Sequence, residues 1–330
     1  MNEELPAKSR IFILMAVYNG SEYIEEQIRS IQLQTMSEWI LLIRDDSSTD
    51  ETVTIVNDFV KQDARIKLIK DNFGSQRLPQ KNFALLVENA MQWDFDYVFF
   101  ADQDDIWEPN KLSVMYDSLV KLSAQYDHAP IMLHTDLTVV DKNNQVIADS
   151  FLRYQGLHHP GKRAINTLLV QNFVTGCTSA VNRVLLEKAL PFPEKMIMHD
   201  WWLALCASIL GELFFLSEPL IRYRQHDNNS VGARSYWKNL LWALKNPYKK
   251  WTQARLGSKR LMDQARELKR HLESEPHKSV QIIKVLKMLD TFISLERKPF
   301  IKKIYFLTSL RLRRQKKLSD ILLKLVLLTS

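Results

Sequence analysis

The chain has 330 residues, 46% hydrophobic and 25% charged, which suits a folded globular protein and excludes a largely disordered one. Its length accommodates about two domains with a sizeable core. The formal charge of +7 conceals two unlike parts: residues 231–330 hold 24 Lys and Arg against 7 Asp and Glu, net +17, and the remaining 230 hold 21 against 31, net −10.

The first 110 residues alternate in period. "RIFILMAVYNG" reads as a buried strand ending in a polar loop, and "SEYIEEQIRSIQLQT" as a helix with Ser21 at its cap and Tyr23, Ile24, Ile28, Ile31 and Leu33 at helical spacing. "WILLIRDDSSTD" is a second strand running into acids. "DETVTIVNDFVKQ" follows as a helix with Asp50 near its start, "RIKLIKD" as a third strand, "QKNFALLVENAMQ" as a helix and "DYVFFADQDD" as a fourth strand. Strands separated by helices of this length predict βαβ units and a parallel sheet covered on both faces. In such sheets, ligands bind beyond the carboxyl ends of the strands. The polar ends "AVYNG", "RDDSSTD" and "ADQDD" therefore fall along one edge.

Beyond this half, a helix is expected from Trp107 to about Tyr126, with Pro109 in its first turn. "PIMLHTDLTVVDKNNQVI" reads as a hairpin turning at Lys142 to Asn144, and "FLRYQGLHHPGKR" as a polar loop over a site. "NFVTGCTSAVNRVLLEKAL" gives a strand and a helix, and "MHDWWLALCASILG" a strongly apolar helix. Cys177 and Cys206 lie in apolar stretches without metal-ligand spacing, as buried free thiols in a reducing cytoplasm would. The first ten residues are polar, the run Ile11 to Val17 is short for a leader, and Ile321 to Leu328 is broken by Lys324 and far below the ~20 residues of a spanning helix. No membrane-crossing segment is expected.

Asp102, Asp104 and Asp105 crowd like charges at the end of an apolar strand. Clustered carboxylates repel and resist burial unless a cation offsets them. Oxygen-only ligands favour Mg²⁺ or Mn²⁺, whose shell substrate phosphates complete. A solvated loop with Asp105 capping the next helix is the alternative from these residues alone.

Five stretches in order carry a more specific signal: "ILMAVYNGSEYIEEQIRSIQLQT", "WILLIRDDSSTDET", "YVFFADQDDIWEPNKL", "VTGCTSAVNR" and "HDWWLAL". Over residues 10–230 the chain resembles the family 2 glycosyltransferases, inverting enzymes of the GT-A fold that use nucleotide-activated sugars. The resemblance implies an α/β catalytic domain over 1–230, with a nucleotide-sugar half at about 10–110 and an acceptor half at 111–230. It makes Ala16, Tyr18 and Asn19 the floor beneath base and ribose, and Asp46 the acceptor of a base N–H, which suits the imide of uracil or thymine. Asp104 would ligate the metal, and Asp102 would reach the ribose or the metal's waters; Asp105 receives no role. Gln103, Lys81 and Asn82 join the sugar-nucleotide set.

The same resemblance makes Asp200, in "MHDWWLAL", the base that deprotonates the acceptor hydroxyl. His199 departs from the family's usual acidic neighbour. Gly176 would permit close backbone approach near the acceptor, and Trp201 and Trp202 would offer a flat face to a sugar, one of the two being core. "HDWW" is similar to a subset often assigned as rhamnosyltransferases, which implies transfer from dTDP-L-rhamnose, with a hexosyl or galactofuranosyl transfer from a UDP-sugar as the alternative. In "RYRQHDNNSVG", Arg222 and Arg224 share a strand face and would meet the diphosphate, and His226 would meet the metal or diphosphate.

Residues 231–330 interleave Trp237, Trp242, Tyr248 and Trp251 with lysines. This composition suits amphipathic helices lying on an anionic membrane surface, and hence a peripheral position on the inner face of the plasma membrane with a lipid-linked saccharide acceptor. A helical appendage that packs on the catalytic domain or forms a homodimer is the alternative. No nucleic-acid fold motif accompanies the charge, so nucleic acid is not expected as a partner. Two other functional classes compete with this one: nucleotidyl transfer, whose glycine-rich phosphate loop is missing after the first strand, and a non-catalytic sugar-nucleotide scaffold, which has no need of a base such as Asp200.

Overall fold

The computed structural model describes residues 10–70, 74–76, 78–226 and 245–329. Trp237, Trp242 and the 230/231 domain boundary expected from the sequence lie outside the described residues.

Four parallel strands, β1 (Ile11–Val17), β2 (Ile40–Asp45), β3 (Ile66–Leu68) and β4 (Tyr97–Ala101), form one half of a nine-stranded sheet in the order β3-β2-β1-β4. Six of the seven residues of β1 are buried, because helices cover both faces. Ile11, Ile13, Met15 and Val17 share one core with Ile24, Ile28 and Ile31 of α1 (Ile24–Gln32) and Val56 and Phe59 of α2 (Thr52–Gln62). Phe12 and Leu14 point the other way, into a second core with Phe83 and Leu86 of α3 (Pro79–Ala90). The period of two along the strand thus feeds two layers.

The order continues from β4 through β8 (Ser179–Asn182), β6 (Ile131–Asp141) and β9 (Glu212–Gln225) to β5 (Ile106–Trp107), with β7 (Val146–Ala148) on β6. β8 is antiparallel to both neighbours, and β6 and β7 form the expected hairpin. α4 (Lys111–Gln125), α5 (Phe151–Gln155), α6 (Ala164–Leu168), α7 (Arg183–Ala189) and α8 (His199–Leu210) complete this part.

Three local expectations need correction. The helix expected from Trp107 begins at Lys111, because Ile106 and Trp107 first pair antiparallel with Arg222 and Ile221 of β9. That partner lies more than a hundred residues away and leaves no local trace. Ser21 does not cap α1: the cap residue is Tyr23, with no side-chain cap bond, and the Ser21 N–H donates to Asp50 at 3.0 Å. Leu33, read as part of the buried face, is exposed just past the helix.

After residue 244 four helices follow, α9 (Pro247–Ser274), α10 (Val280–Ser294), α11 (Phe300–Ser309) and α12 (Lys317–Thr329). Leu261, Leu268 and Leu272 of α9 and Val285, Leu289 and Phe292 of α10 join the core that holds Trp202 and Leu205 of α8. Polar ties reinforce the contact: Gln264 accepts from the Ile197 N–H at 2.8 Å, His271 meets the Lys188 carbonyl at 2.8 Å and Lys188 pairs with Glu275 at 2.9 Å. These helices extend the α8 layer. Among the described residues no helix is long and apolar enough to cross a membrane.

Candidate active site

A cavity of about 810 Å³ opens at the carboxyl edge of the parallel strands. Its wall brings together ten of the residues expected from the sequence: Ala16, Tyr18, Asp46, Asn82, Asp102, Gln103 and Asp104 from one half, and Gly176, Asp200 and Trp201 from the other. Asn19, Lys81, Trp202, Arg222, Arg224 and His226 stand outside that wall.

The loops after β1, β2 and β4 are stitched to one another. Asn19 adopts φ 46°, donates its N–H to Ser48 at 2.8 Å and accepts from the Thr49 N–H at 2.8 Å. Gln103 accepts from the Tyr18 N–H at 2.8 Å and donates to the Tyr18 carbonyl at 3.0 Å. A β-carbon on Gly20 would lie 2.5 Å from that Gln103 amide, so a side chain at position 20 cannot coexist with the pair of bonds. Gln103 lines the cavity with its polar end already engaged by the loop.

Asp46 is buried at the cavity edge, where its carboxylate accepts from the Gln76 N–H at 2.6 Å and meets the Arg44 guanidinium at 3.2 Å. Arg44, also buried, donates to Asn82 at 2.8 Å and to the Gly74 carbonyl at 3.0 Å. It connects Asp46 with α3. Sequence reading passed over Arg44, although a lone arginine inside the apolar run "ILLIRD" marks a buried cation in need of a carboxylate.

The three acids after β4 diverge. Asp104 faces His226, with 2.9 Å between the carboxylate and Nε2, while the His226 ring lies tilted against Tyr23 at 4.7 Å. Asp105 is buried: one oxygen accepts from the Arg224 N–H at 3.3 Å, and Oδ2 has no hydrogen-bond partner among the described residues. Burial, followed by Asp104, pushes the Asp105 carboxyl well up. Asp102 is pushed up to about 7 by burial, then by Asp104 and Asp200. Its ligand atom lies within 4.8 Å of those of Asp105 and Cys177. Burial drives the Cys177 thiol well up too. Beneath them Lys111 donates to the Cys177 carbonyl at 2.7 Å and sits 3.4 Å above the Trp107 ring.

Orphaned Asp105 Oδ2 and desolvated, mutually repelling carboxylates fit a hard divalent cation.

On the opposite wall Asp200 sits in the first turn of α8. It accepts from the Trp201 N–H at 2.6 Å and is also bonded by the Gly176 N–H and the Asn172 side chain, yet burial dominates and pushes it up to about 7. His199 beside it stacks on Phe83 at 4.0 Å, and neither ring nitrogen has a partner among the described residues. Burial lowers its pKa to about 3, so the ring is neutral. A β-carbon on Gly176 would lie 3.2 Å from His199 Nε2, so the close approach expected at this glycine is made by the His199 and Asp200 side chains. Asn172 was not singled out from the sequence; its place four residues before Gly176 is the only trace it left.

Three expected positions require correction. Trp202 is fully buried, donates to the Ala189 carbonyl at 3.0 Å and meets His271 edge-on at 5.4 Å; only Trp201 reaches the cavity. Arg222 is 40% exposed and pairs with Glu108 at 3.0 Å, away from the cavity. Arg224 shares its strand face but is buried under the acid loop, where it donates to the Asp104 carbonyl at 3.1 Å and the Lys142 carbonyl at 3.0 Å and pairs with Glu26. It braces the loop from behind.

A parallel half-sheet ending in acids, joined to a second half whose helix α8 brings a further acid to the same cavity, is the layout of the GT-A glycosyltransferases. The model of the family described as "Glycosyl transferase family 2" matches residues 12–190, and the chain belongs to that family. It is 29% identical over 236 residues to the dTDP-rhamnosyl transferase RfbG of Shigella flexneri, covering 68% of this chain and 75% of that one. It is 31% identical over 195 residues to WfgD of Escherichia coli, a UDP-Glc:alpha-D-GlcNAc-diphosphoundecaprenol beta-1,3-glucosyltransferase, covering 58% and 68%. S. aureus TarS (residues 1–349), solved in complex with UDP-GlcNAc, shares the fold at a TM-score of 0.52 and 17% identity, over 92% of this chain and 82% of that one.

Proposed function

We propose that this glycosyltransferase moves L-rhamnose, with inversion, from dTDP-L-rhamnose to a lipid-linked or polysaccharide acceptor in bacterial surface polysaccharide synthesis. The observation that carries the reading is Asp200, a carboxylate tuned to about 7, facing the same cavity as Asp102 and Asp104. A group with that pKa accepts a proton near neutrality and is matched to general-base work.

In this reading the nucleotide lies along Ala16, Tyr18 and Asp46, with the Asp46 carboxylate held toward the base by Arg44. Asp200 takes the proton from the acceptor hydroxyl while that oxygen attacks the anomeric carbon on the face opposite the diphosphate. Trp201 and Gly176 shape the acceptor side. Asp104, with Asp102 and Asp105, would hold Mg²⁺ or Mn²⁺. A divalent cation bound there supplies charge stabilisation for the departing nucleoside diphosphate. His226 contacts Asp104 and fixes its orientation.

The donor rests on the likeness to RfbG, whose name specifies dTDP-rhamnosyl transfer. A UDP-sugar donor is the second reading, favoured by the likeness to WfgD. The same relative's name specifies a diphosphoundecaprenol-linked acceptor, which agrees with a basic region 231–330 working at the inner face of the plasma membrane.

A thermal-shift panel of dTDP, UDP, GDP and CDP, each with and without Mn²⁺, tests the nucleotide: a metal-dependent shift confined to dTDP supports the proposal, and one confined to UDP selects the second reading. NMR of the anomeric linkage formed on a synthetic diphosphate-linked acceptor then tests transfer and inversion. No shift with any nucleotide would overturn the transferase reading.

A further inference from the structure

Large exposed apolar side chains are concentrated in the C-terminal helices: of 17 such residues among the described ones, 11 lie in α9–α12 and seven of these on α11 and α12. Phe300, Ile301, Ile304 and Tyr305 occupy positions i, i+1, i+4 and i+5 of α11, which a helix places on one side; Ile301 is 81% exposed and Tyr305 69%. Leu318, Ile321 and Leu325, at i, i+3 and i+7, make the matching stripe on α12, which packs against α11.

The charge around this face is mostly positive, with Glu296 before α11 and Asp320, paired with Lys324, in α12 as the nearby acids. Residues 297–317 contain nine Lys and Arg and no Asp or Glu, and Arg297, Lys302, Arg311, Arg313 and Lys317 are exposed. Apolar stripes rimmed by solvent-facing cations suit the boundary between headgroups and acyl chains of an anionic bilayer. A second copy of the chain fits poorly, because a two-fold contact would set this cation-rich surface against itself.

The link between the two helices is fastened to the active-site half. Gln315 accepts from the His158 N–H at 2.9 Å and donates to the His158 carbonyl at 2.6 Å, its own N–H donates to Gln171 at 2.9 Å, and Arg314 donates to the Val170 carbonyl at 3.1 Å. These partners flank the cavity-wall residues Leu157 and Asn172. A surface that docks through α11 and α12 is therefore coupled directly to the acceptor side of the cavity.

We propose that the α11–α12 face is an interfacial docking surface for anionic lipid, which holds the acceptor side of the cavity against the bilayer. This rests on the membrane-linked acceptor of the function proposed above and names the surface that meets the membrane.

The test is co-sedimentation of the full chain with vesicles of phosphatidylglycerol in phosphatidylcholine and with pure phosphatidylcholine. Two double variants at exposed positions separate the contributions: Ile301→Glu with Leu325→Glu for the apolar stripe, and Lys302→Glu with Arg313→Glu for the rim. Binding should be confined to anionic vesicles, weaken on raising salt, and fall about tenfold or more in each variant. Melting temperature, nucleotide binding and transfer to a soluble acceptor should stay unchanged. Undiminished vesicle binding in both variants, or no binding by the parent chain, would overturn the proposal. So would a dimer in solution that Ile301→Glu with Leu325→Glu converts to monomer. Loss of nucleotide binding in the parent chain would instead fail the functional reading, independently of lipid.

Discussion

Gln103 and Tyr18 hold each other by two hydrogen bonds, amide to backbone, at 2.8 and 3.0 Å, and so join the loop after β4 to the loop after β1. This clasp ties the carboxylate loop to the proposed nucleotide floor. Gly20 makes room for it. In Gly20→Ala the new methyl displaces the Gln103 amide and breaks both bonds, each worth about 1 kcal/mol. Nucleotide affinity should fall about tenfold or more with a melting temperature lowered by a few degrees, read by calorimetric titration and a thermal melt. Unchanged affinity would separate the clasp from nucleotide binding.

Asp200→Asn is expected to keep the fold and nucleotide affinity and to lose about 10²–10⁴-fold in kcat. In the parent chain the Asp200 carboxyl is pushed up by burial to about 7, so the base is protonated and idle below that pH and ionised above it. kcat/KM should therefore climb with pH and level off above about 7. The same shift acts on stability with the opposite slope. Unfolding returns Asp200 to its ordinary 3.8, so the unfolded chain releases this proton first, and stability falls as pH rises from about 4 to about 7. Asp200→Asn should lessen that fall in a Tm-against-pH curve, leaving the share contributed by Asp102, which is also pushed up to about 7. An identical curve in the variant would remove Asp200 from the buried ionisable set.

Asp104→Ala removes the carboxylate that His226 faces. The nucleotide-induced thermal shift should then lose its dependence on Mn²⁺, whereas His226→Ala should weaken that dependence while leaving a residual response. Retained metal dependence in Asp104→Ala would transfer the metal to the Asp102–Asp105 pair, whose ligand atoms lie close together.

Neighbouring tryptophans should behave as different kinds of residue. Trp202→Ala empties a fully buried volume and should cost about 3–5 kcal/mol of stability, read by denaturant unfolding. Trp201→Ala changes the cavity wall instead and should raise the acceptor KM with a smaller loss of stability. Equal losses from the two would place both in the core.

Much of the catalytic half was legible because its signals are local. A buried parallel strand is an apolar run, its end is a change to polar residues, and all parallel strands end at the same edge, so "AVYNG", "RDDSSTD" and "ADQDD" had to meet. The illegible residues are those whose partners lie far along the chain. Arg224 lies on the strand face read from the sequence, but its contacts are Asp104, Lys142 and Glu26, which no spacing rule connects. Trp107 looked like the start of a helix because its strand partner, Ile221, is supplied from more than a hundred residues away. Lys111 carries no local sign that it lies wholly buried under the acid cluster.

By itself the sequence determined the layering of the first half, the edge at which the acids gather, the order of the five motifs and hence the family. Tertiary structure decided which member of each neighbouring pair does what. Adjacent residues on a helix point about 100° apart, so Trp201 and Trp202 cannot share an environment. The face that is buried was settled by α9 and α10, which pack on α8 through the same core. That packing also divided the basic C-terminal region, sending one side of its helices into the core and leaving the apolar stripes of α11 and α12 outside, because a helix buries only the face for which a partner surface exists.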